Sequence, residues 1–177
     1  MPLKSFIEQI RSGDTSAYKT LYLHTHKTLF AIAIRYVLYE DSAKDVLQEA
    51  YIKIYKNLDS ASFDSDKLVL AWMKKICVNE SLMHIRKKGN WDKLQISLAP
   101  KTTLITTSIE KKESLSILLS LPMQQRICFS LFALEGYSHK EISQQLNIKE
   151  SHSRTLVTRA RKQLASKITT ARNYETS

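Results

Sequence analysis

Apolar residues along this chain recur at helical spacing, and nowhere is a strand-like alternation sustained. That pattern restricts the fold to helices packed on helices. Tyr18, Leu21, Tyr22, Leu29, Phe30, Ile34 and Val37 mark one long helix, with Ser12-Gly13-Asp14 as the turn before it and Asp14 as its cap. A shorter helix is predicted to start after Pro2, a residue suited to a first helical position. Ser42 and Asp45 have capping-box spacing for the next helix, a loop covers Asp59 to Asp66, and a fourth helix runs from about Lys67 to Lys88. From Gly89 to about Thr107 the period dissolves into Ser, Thr, Pro and scattered apolar residues, helices resume near Ile109, and Pro122 opens another. The predicted fold class is therefore all-α, with two small helical domains, residues 1–88 and 109–177, joined by a flexible linker over 89–108.

Within the first of these domains, the segment from Asp41 to Tyr55 separates its residues by face. At about 100° per residue, Val46, Leu47, Ala50, Tyr51, Ile54 and Tyr55 form one apolar stripe, while Asp41, Asp45, Gln48 and Ile52 gather opposite, with Glu49 at their edge. An isoleucine among carboxylates points to a docking surface for a basic, partly apolar partner. The plainer alternative is a solvated charged face with one stray isoleucine.

That acidic face runs against the chain as a whole, whose formal net charge is +10. A chain this basic favours polyanions, above all nucleic acid. The excess is local. Lys74, Lys75, Arg86, Lys87, Lys88, Lys93 and Lys101 form one concentration, and Lys140, Lys149, Arg154, Arg159, Arg161, Lys162, Lys167 and Arg172 form another. The second falls on a recognisable motif. Ser138 and Glu141 have capping-box spacing, Ile142 and Leu146 give the helix after them one apolar face, and a tight turn follows at Asn147-Ile148-Lys149. A further helix from about Ser151 to Leu164 puts Val157, Ala160 and Leu164 on one side and His152, Thr155, Arg159 and Lys162 on the other, with Ser151 and Thr158 at the margin. Two short helices with a cationic, hydrogen-bonding outer face on the second make a helix-turn-helix able to enter a major groove. An ordinary helical hairpin with a solvated face is the alternative. In the fourth helix, Trp72, Lys75, Asn79 and Arg86 share a narrow sector suited to a nucleic-acid strand, with Lys87 and Lys88 beyond it. Trp72 by itself reads as a packing residue, so the claim rests on the Lys75, Asn79 and Arg86 edge.

Other functions are disfavoured by what the sequence lacks. No apolar run approaches the ~18 residues of a membrane span, and Met1-Pro2-Leu3 does not open a signal peptide, so a cytoplasmic protein without membrane insertion is expected. Cys77 and Cys128 lie in apolar helical patterns without CxxC spacing and read as free buried thiols. His24 and His26, two apart on a helix, point in roughly opposite directions. With Gly13, Gly89 and Gly136 the only glycines, there is no phosphate-cradling loop, and no nucleophile elbow appears. Neither a catalytic residue, a metal nor a cofactor is expected.

These residues, taken in order, resemble the extracytoplasmic function sigma factors, the smallest specificity subunits of bacterial RNA polymerase. Gly13-Asp14, Ala17-Tyr18 and Leu21-Tyr22 resemble the opening of that family, and Asp45-Val46-Leu47-Gln48-Glu49 with Tyr51 is similar to its D-x-x-Q-E-x-F signature. Trp72-Met73, Ile76, Asn79 and Arg86 are similar to its W-L-x-x-I-x-x-N segment with a basic end. Leu121-Pro122, Arg126, Glu135-Gly136-Tyr137-Ser138, Glu141-Ile142 and Arg159-Ala160-Arg161 are similar to its carboxy-terminal domain. The resemblance runs from about Phe6 to Leu164, and its specificity lies in the order of the set.

By that resemblance, Asp41, Asp45, Gln48, Glu49 and Ile52 would dock on the clamp helices of core RNA polymerase. The loop Asp59 to Asp66, including Phe63, with Lys75, Asn79, Arg86, Lys87 and Lys88 would bind and open the minus-ten promoter element. Ser151, His152, Arg154, Thr155, Thr158, Arg159 and Lys162 would meet the minus-thirty-five element, and the linker would thread through the polymerase. Core RNA polymerase and promoter DNA are the implied partners, and an anti-sigma factor is a further one the family admits. The chain departs from the family at Met83, where many members have Asp, at Asn147 in place of the turn glycine, and at His152-Ser153-Arg154-Thr155-Leu156 in place of T-V-K-S-R. A helix-turn-helix regulator that binds an operator without polymerase is the alternative function.

Overall fold

The computed structural model describes the backbone of residues 2–87 and 115–175, and side chains as far as residue 169. The chain divides into two compact units after Lys88. Lys88 itself, the linker 89–108 and the resumption of helix near Ile109 lie outside the described residues. All regular structure among the described residues is helical.

The first unit contains α1 (Leu3–Arg11), α2 (Ser16–Val37), α3 (Glu40–Asn57) and α4 (Asp66–Lys87). Helices α2, α3 and α4 pack on one another, and α1 lies against α2 and α4. Phe6, Ile7 and Ile10 recur at helical spacing along α1 and are buried, which anchors this short helix to the others. Between α1 and α2, Gly13 takes a φ of +95°, a value open to glycine at little cost. Asp14 Oδ1 accepts from the Ser16 backbone N–H at 2.9 Å and from Ser16 Oγ at 2.6 Å, so its carboxylate stands at the start of α2. Those bonds hold its pKa below the usual carboxylate value.

The start of α3 differs from the capping box expected at Ser42 and Asp45. The helix already begins at Glu40, behind an extended Tyr39, and the Ala43 N–H bonds the Tyr39 carbonyl at 2.9 Å. The cause lies one residue earlier. Leu38 is buried and adopts φ 68° and ψ −42°, so that the Tyr39 N–H reaches the Val37 carbonyl at 2.9 Å in a three-residue turn. This turn starts α3 early and carries Ser42 round to the buried side.

The second unit contains helical residues 115–119, α5 (Met123–Phe129), a π-helical turn (Ser130–Leu134), α6 (His139–Leu146) and α7 (Glu150–Glu175). Pro122 directly precedes α5, as the sequence predicts. The capping box is complete: Ser138 Oγ accepts from the Glu141 N–H at 3.2 Å, and Glu141 Oε2 accepts from the Ser138 N–H at 2.8 Å. Asn147 ends α6 in the left-handed conformation, φ 52° and ψ 48°, a role its short polar side chain tolerates. Leu118, Leu121 and Ala160 are buried together with Phe129 and Leu164 against them, and α7 runs on past the Leu164 boundary expected from the sequence. Arg126 is fully buried, and desolvation brings its pKa down to about 10, which leaves it charged near neutrality.

Leu29 is wholly buried in α2, and its carbonyl accepts from Cys77 Sγ at 3.4 Å. Leu29→Ala is expected to lower the stability of the first unit by about 2–5 kcal/mol. Denaturant unfolding should show a shifted transition for that unit, with the unfolding of the second unit unchanged.

Candidate nucleic-acid and protein interfaces

Helix α3 turns the predicted stripe inward. Val46, Leu47, Ala50, Tyr51 and Ile54 are buried, Tyr55 is half-buried, and Asp41, Asp45, Gln48, Glu49 and Ile52 are all exposed. The five predicted docking residues thus share one open face of a single helix. Lys44 lies beside it, 2.9 Å from Glu40 and 3.7 Å from Asp41, which raises the lysine pKa through its hydrogen bond and charge pairing with Glu40. Pairs this exposed contribute little to stability, so the face is available for other partners.

Two polar contacts fix the rotation of α3. Thr25 Oγ1 donates to the Leu21 carbonyl at 2.7 Å, which leaves its oxygen to accept from the Tyr51 hydroxyl at 2.7 Å. Burial pushes the Tyr51 pKa up, so this phenol stays a donor. On the other side, Lys53 Nζ reaches the buried Glu80 carboxylate of α4 at 2.6 Å and comes within 3.7 Å of Met83 Sδ. Methionine at 83 therefore sets its thioether sulfur near the Lys53 ammonium, where a carboxylate would have offered charge.

The α3–α4 loop and α4 present the next set. Asp59, Ser60, Ser62, Asp64 and Ser65 are exposed, and the half-buried Phe63 ring leans on Trp72 with centroids 5.1 Å apart at 58°. Trp72 is a packing residue, as its size and spacing suggest. Lys75, Arg86 and Lys87 are exposed along α4 and Asn79 is half-buried. Lys88 falls outside the described residues.

In the second unit, α6 and α7 form the expected helix-turn-helix. Val157 and Ala160 are buried, whereas Ser151, His152, Arg154, Thr155, Thr158, Arg159 and Lys162 are all exposed. Arg154 meets Glu150 one turn earlier at 2.5 Å, so its guanidinium is already paired with an acid on the same helix. Ser153 and Leu156, from the run that departs from T-V-K-S-R, are buried and serve packing.

A contact set that sequence spacing did not reveal fixes α7 from behind. His139 stacks on Phe132 at 4.4 Å and 15°, the Arg161 guanidinium lies 5.3 Å from the centre of that ring, and His139 Nδ1 is 3.0 Å from Ser153 Oγ. The only sequence signal was aromatic and cationic composition, because the π-helical turn that aims Phe132 has no pattern of its own.

Comparison with known proteins supplies the deciding observation. The family model Sigma-70 region 2 matches residues 21–90, and Sigma-70, region 4 matches residues 113–164, in that order along the chain. The chain belongs to the extracytoplasmic function sigma factors. It is 26% identical over 158 residues to the ECF RNA polymerase sigma factor SigM of Mycobacterium tuberculosis, covering 87% of this chain and 78% of that protein. It is also 26% identical over 179 residues to the ECF RNA polymerase sigma-E factor of Escherichia coli K12, covering 92% of each. Among solved structures, the sigma factor RpoE of Bartonella quintana, in complex with the anti-sigma factor NepR, matches with a TM-score of 0.52 and 25% identity over 84% of this chain and 94% of that one. As a sigma factor, the protein directs promoter-specific initiation by RNA polymerase. The operator-binding alternative is not favoured.

The environment of His139 in this sigma factor gives a pH dependence. Burial first, then the charge of Arg154 and, after an opposing effect from Glu150, that of Arg161 hold its pKa below the ordinary imidazole value. The folded unit therefore binds fewer protons than the unfolded chain, and stability is full at high pH and falls as pH drops through about 6.5. Melting of the second unit should decline on acidification from about pH 8 to about pH 5, and His139→Gln should flatten that decline.

Proposed function

We propose that the sigma factor divides its work among three surfaces, each with a chemistry suited to one partner. The exposed face of α3, Asp41, Asp45, Gln48, Glu49 and Ile52, binds the core polymerase. The loop carrying Phe63, together with Lys75, Asn79, Arg86, Lys87 and Lys88, takes the minus-ten element, with the cations on phosphates and the loop holding an unstacked base. The outer face of α7, Ser151, His152, Arg154, Thr155, Thr158, Arg159 and Lys162, meets the minus-thirty-five element in the major groove. The observation that carries this reading is the open acidic face on α3 in a chain of net charge +10, since DNA binding alone gives no use for it.

On this reading the polymerase supplies the chemistry, and the sigma factor performs none of its own. Among the described residues no helix is long and apolar enough to cross a membrane, which suits a protein working beside polymerase in the cytoplasm. The RpoE neighbour was solved with an anti-sigma factor, and we extend to this chain an anti-sigma partner that blocks polymerase docking.

Two experiments test these surfaces. Asp45→Lys with Glu49→Lys is expected to weaken core-polymerase binding at least tenfold with an unchanged helical circular dichroism spectrum, because both side chains point away from the core. Wild-type affinity would remove α3 from the docking role. For promoter reading, duplexes selected by wild-type holoenzyme from a random pool provide the matched minus-thirty-five sequence. Arg159→Ala should lose about 1–3 kcal/mol of preference for that sequence over a scrambled one. Lys87→Ala should instead weaken both duplexes alike and reduce the salt dependence.

A further inference from the structure

Helix α1 reaches both ends of the α3–α4 connection. From its last turn, Arg11 Nε donates to the Leu58 carbonyl at 3.2 Å, and Arg11 Nη2 donates to the carbonyls of Leu58 and Ala61. From its first turn, the Lys4 backbone N–H donates to Asp66 Oδ1 at 2.8 Å. Leu58 closes the carboxy-terminal end of α3, and Asp66 opens α4. The planar guanidinium fork suits such a task, since from a fixed plane it satisfies at once the Leu58 carbonyl that closes α3 and the Ala61 carbonyl in the loop beyond it.

The loop between these anchors has little to hold it otherwise. Most of its residues are exposed, and Phe63 on Trp72 is its aromatic contact. Helix α1, in contrast, is anchored by the buried Phe6, Ile7 and Ile10. A rigid element thus grips a lightly packed loop at entry and exit. We infer that α1 braces this loop, and that Arg11 is a positioning residue for minus-ten recognition, shaping the loop before DNA arrives. The inference rests on the DNA-binding role proposed above for the Phe63 loop. A loop shaped in advance binds without first losing its own conformational freedom, so releasing the brace weakens binding through the loop and nowhere else.

The test uses reconstituted holoenzyme and a single-stranded DNA that wild-type holoenzyme selects from a random-sequence pool. Arg11→Ala should bind this strand about tenfold more weakly, with affinity for core polymerase and for the selected minus-thirty-five duplex unchanged. Arg11→Lys, which keeps one charged donor, should recover part of the loss. Combined with Phe63→Ala, Arg11→Ala should add little to the loss that Phe63→Ala causes alone, because both act through one loop. Asp66→Ala releases the opposite anchor and should behave in the same way, which keeps the test decisive if Arg11→Ala folds poorly. If Phe63→Ala weakens strand binding while Arg11→Ala and Asp66→Ala do not, the brace is wrong and the loop assignment stands. If none of the three weakens it, the loop assignment falls and the brace with it. Fully additive losses would mean that Arg11 touches DNA itself, which also overturns the inference.

Discussion

A short chain of hydrogen bonds, from the Tyr51 hydroxyl through Thr25 to the Leu21 carbonyl, sets the angle at which α3 faces α2. Apolar packing alone tolerates small rotations, since a methyl group can trade one neighbour for another. A buried hydroxyl tolerates far less, because turning it away from its partner leaves a polar atom unsatisfied at a cost of about 1–3 kcal/mol. The aromatic rings around it, Tyr22 against Tyr51 at 4.9 Å and Tyr18 against Tyr55 at 4.8 Å, continue the same seam along both helices. With that rotation fixed from one side and Lys53–Glu80 fixing it from the other, the outward direction of Asp45, Gln48, Glu49 and Ile52 follows without further constraint.

The two units solve a common problem with different means. Each holds one helix against its neighbours while leaving an outer face of it exposed. In the first unit the support is mostly apolar and is distributed over α2 and α4. In the second, α7 has a smaller apolar footing in Leu156, Val157 and Ala160, and a polar bracket of His139, Ser153, Phe132 and Arg161 supplements it. Polar brackets are more directional than apolar packing, and the one behind α7 responds to pH through His139.

Much of this was legible in the sequence. Helical spacing alone separates the inward and outward faces of α3 and α7, because a single buried stripe forces every other position outward. The Ser138 and Glu141 pair and Asn147 could be read directly, since capping is a contact between near neighbours. What escaped was of two kinds. The early start of α3 depends on a positive φ at Leu38, a residue with no local preference for it, so tertiary packing overrides propensity there. Arg11 with Leu58 and Ala61, Lys53 with Glu80, and His139 with Ser153 join residues on different elements, and no local rule links such positions.

The segregation of charge also bears on how the molecule is perceived at a distance. Helix α3 has 18 residues and is therefore about 27 Å long. At physiological ionic strength the screening length is only about 8 Å. An approaching macromolecule consequently senses the nearest few side chains rather than the total of +10. Two oppositely charged partners can then be engaged at once, each responding to its own patch. Dilution of salt would let these local fields overlap, and on the reading proposed above it would draw DNA towards the protein indiscriminately and blunt the attraction between the α3 carboxylates and a basic partner.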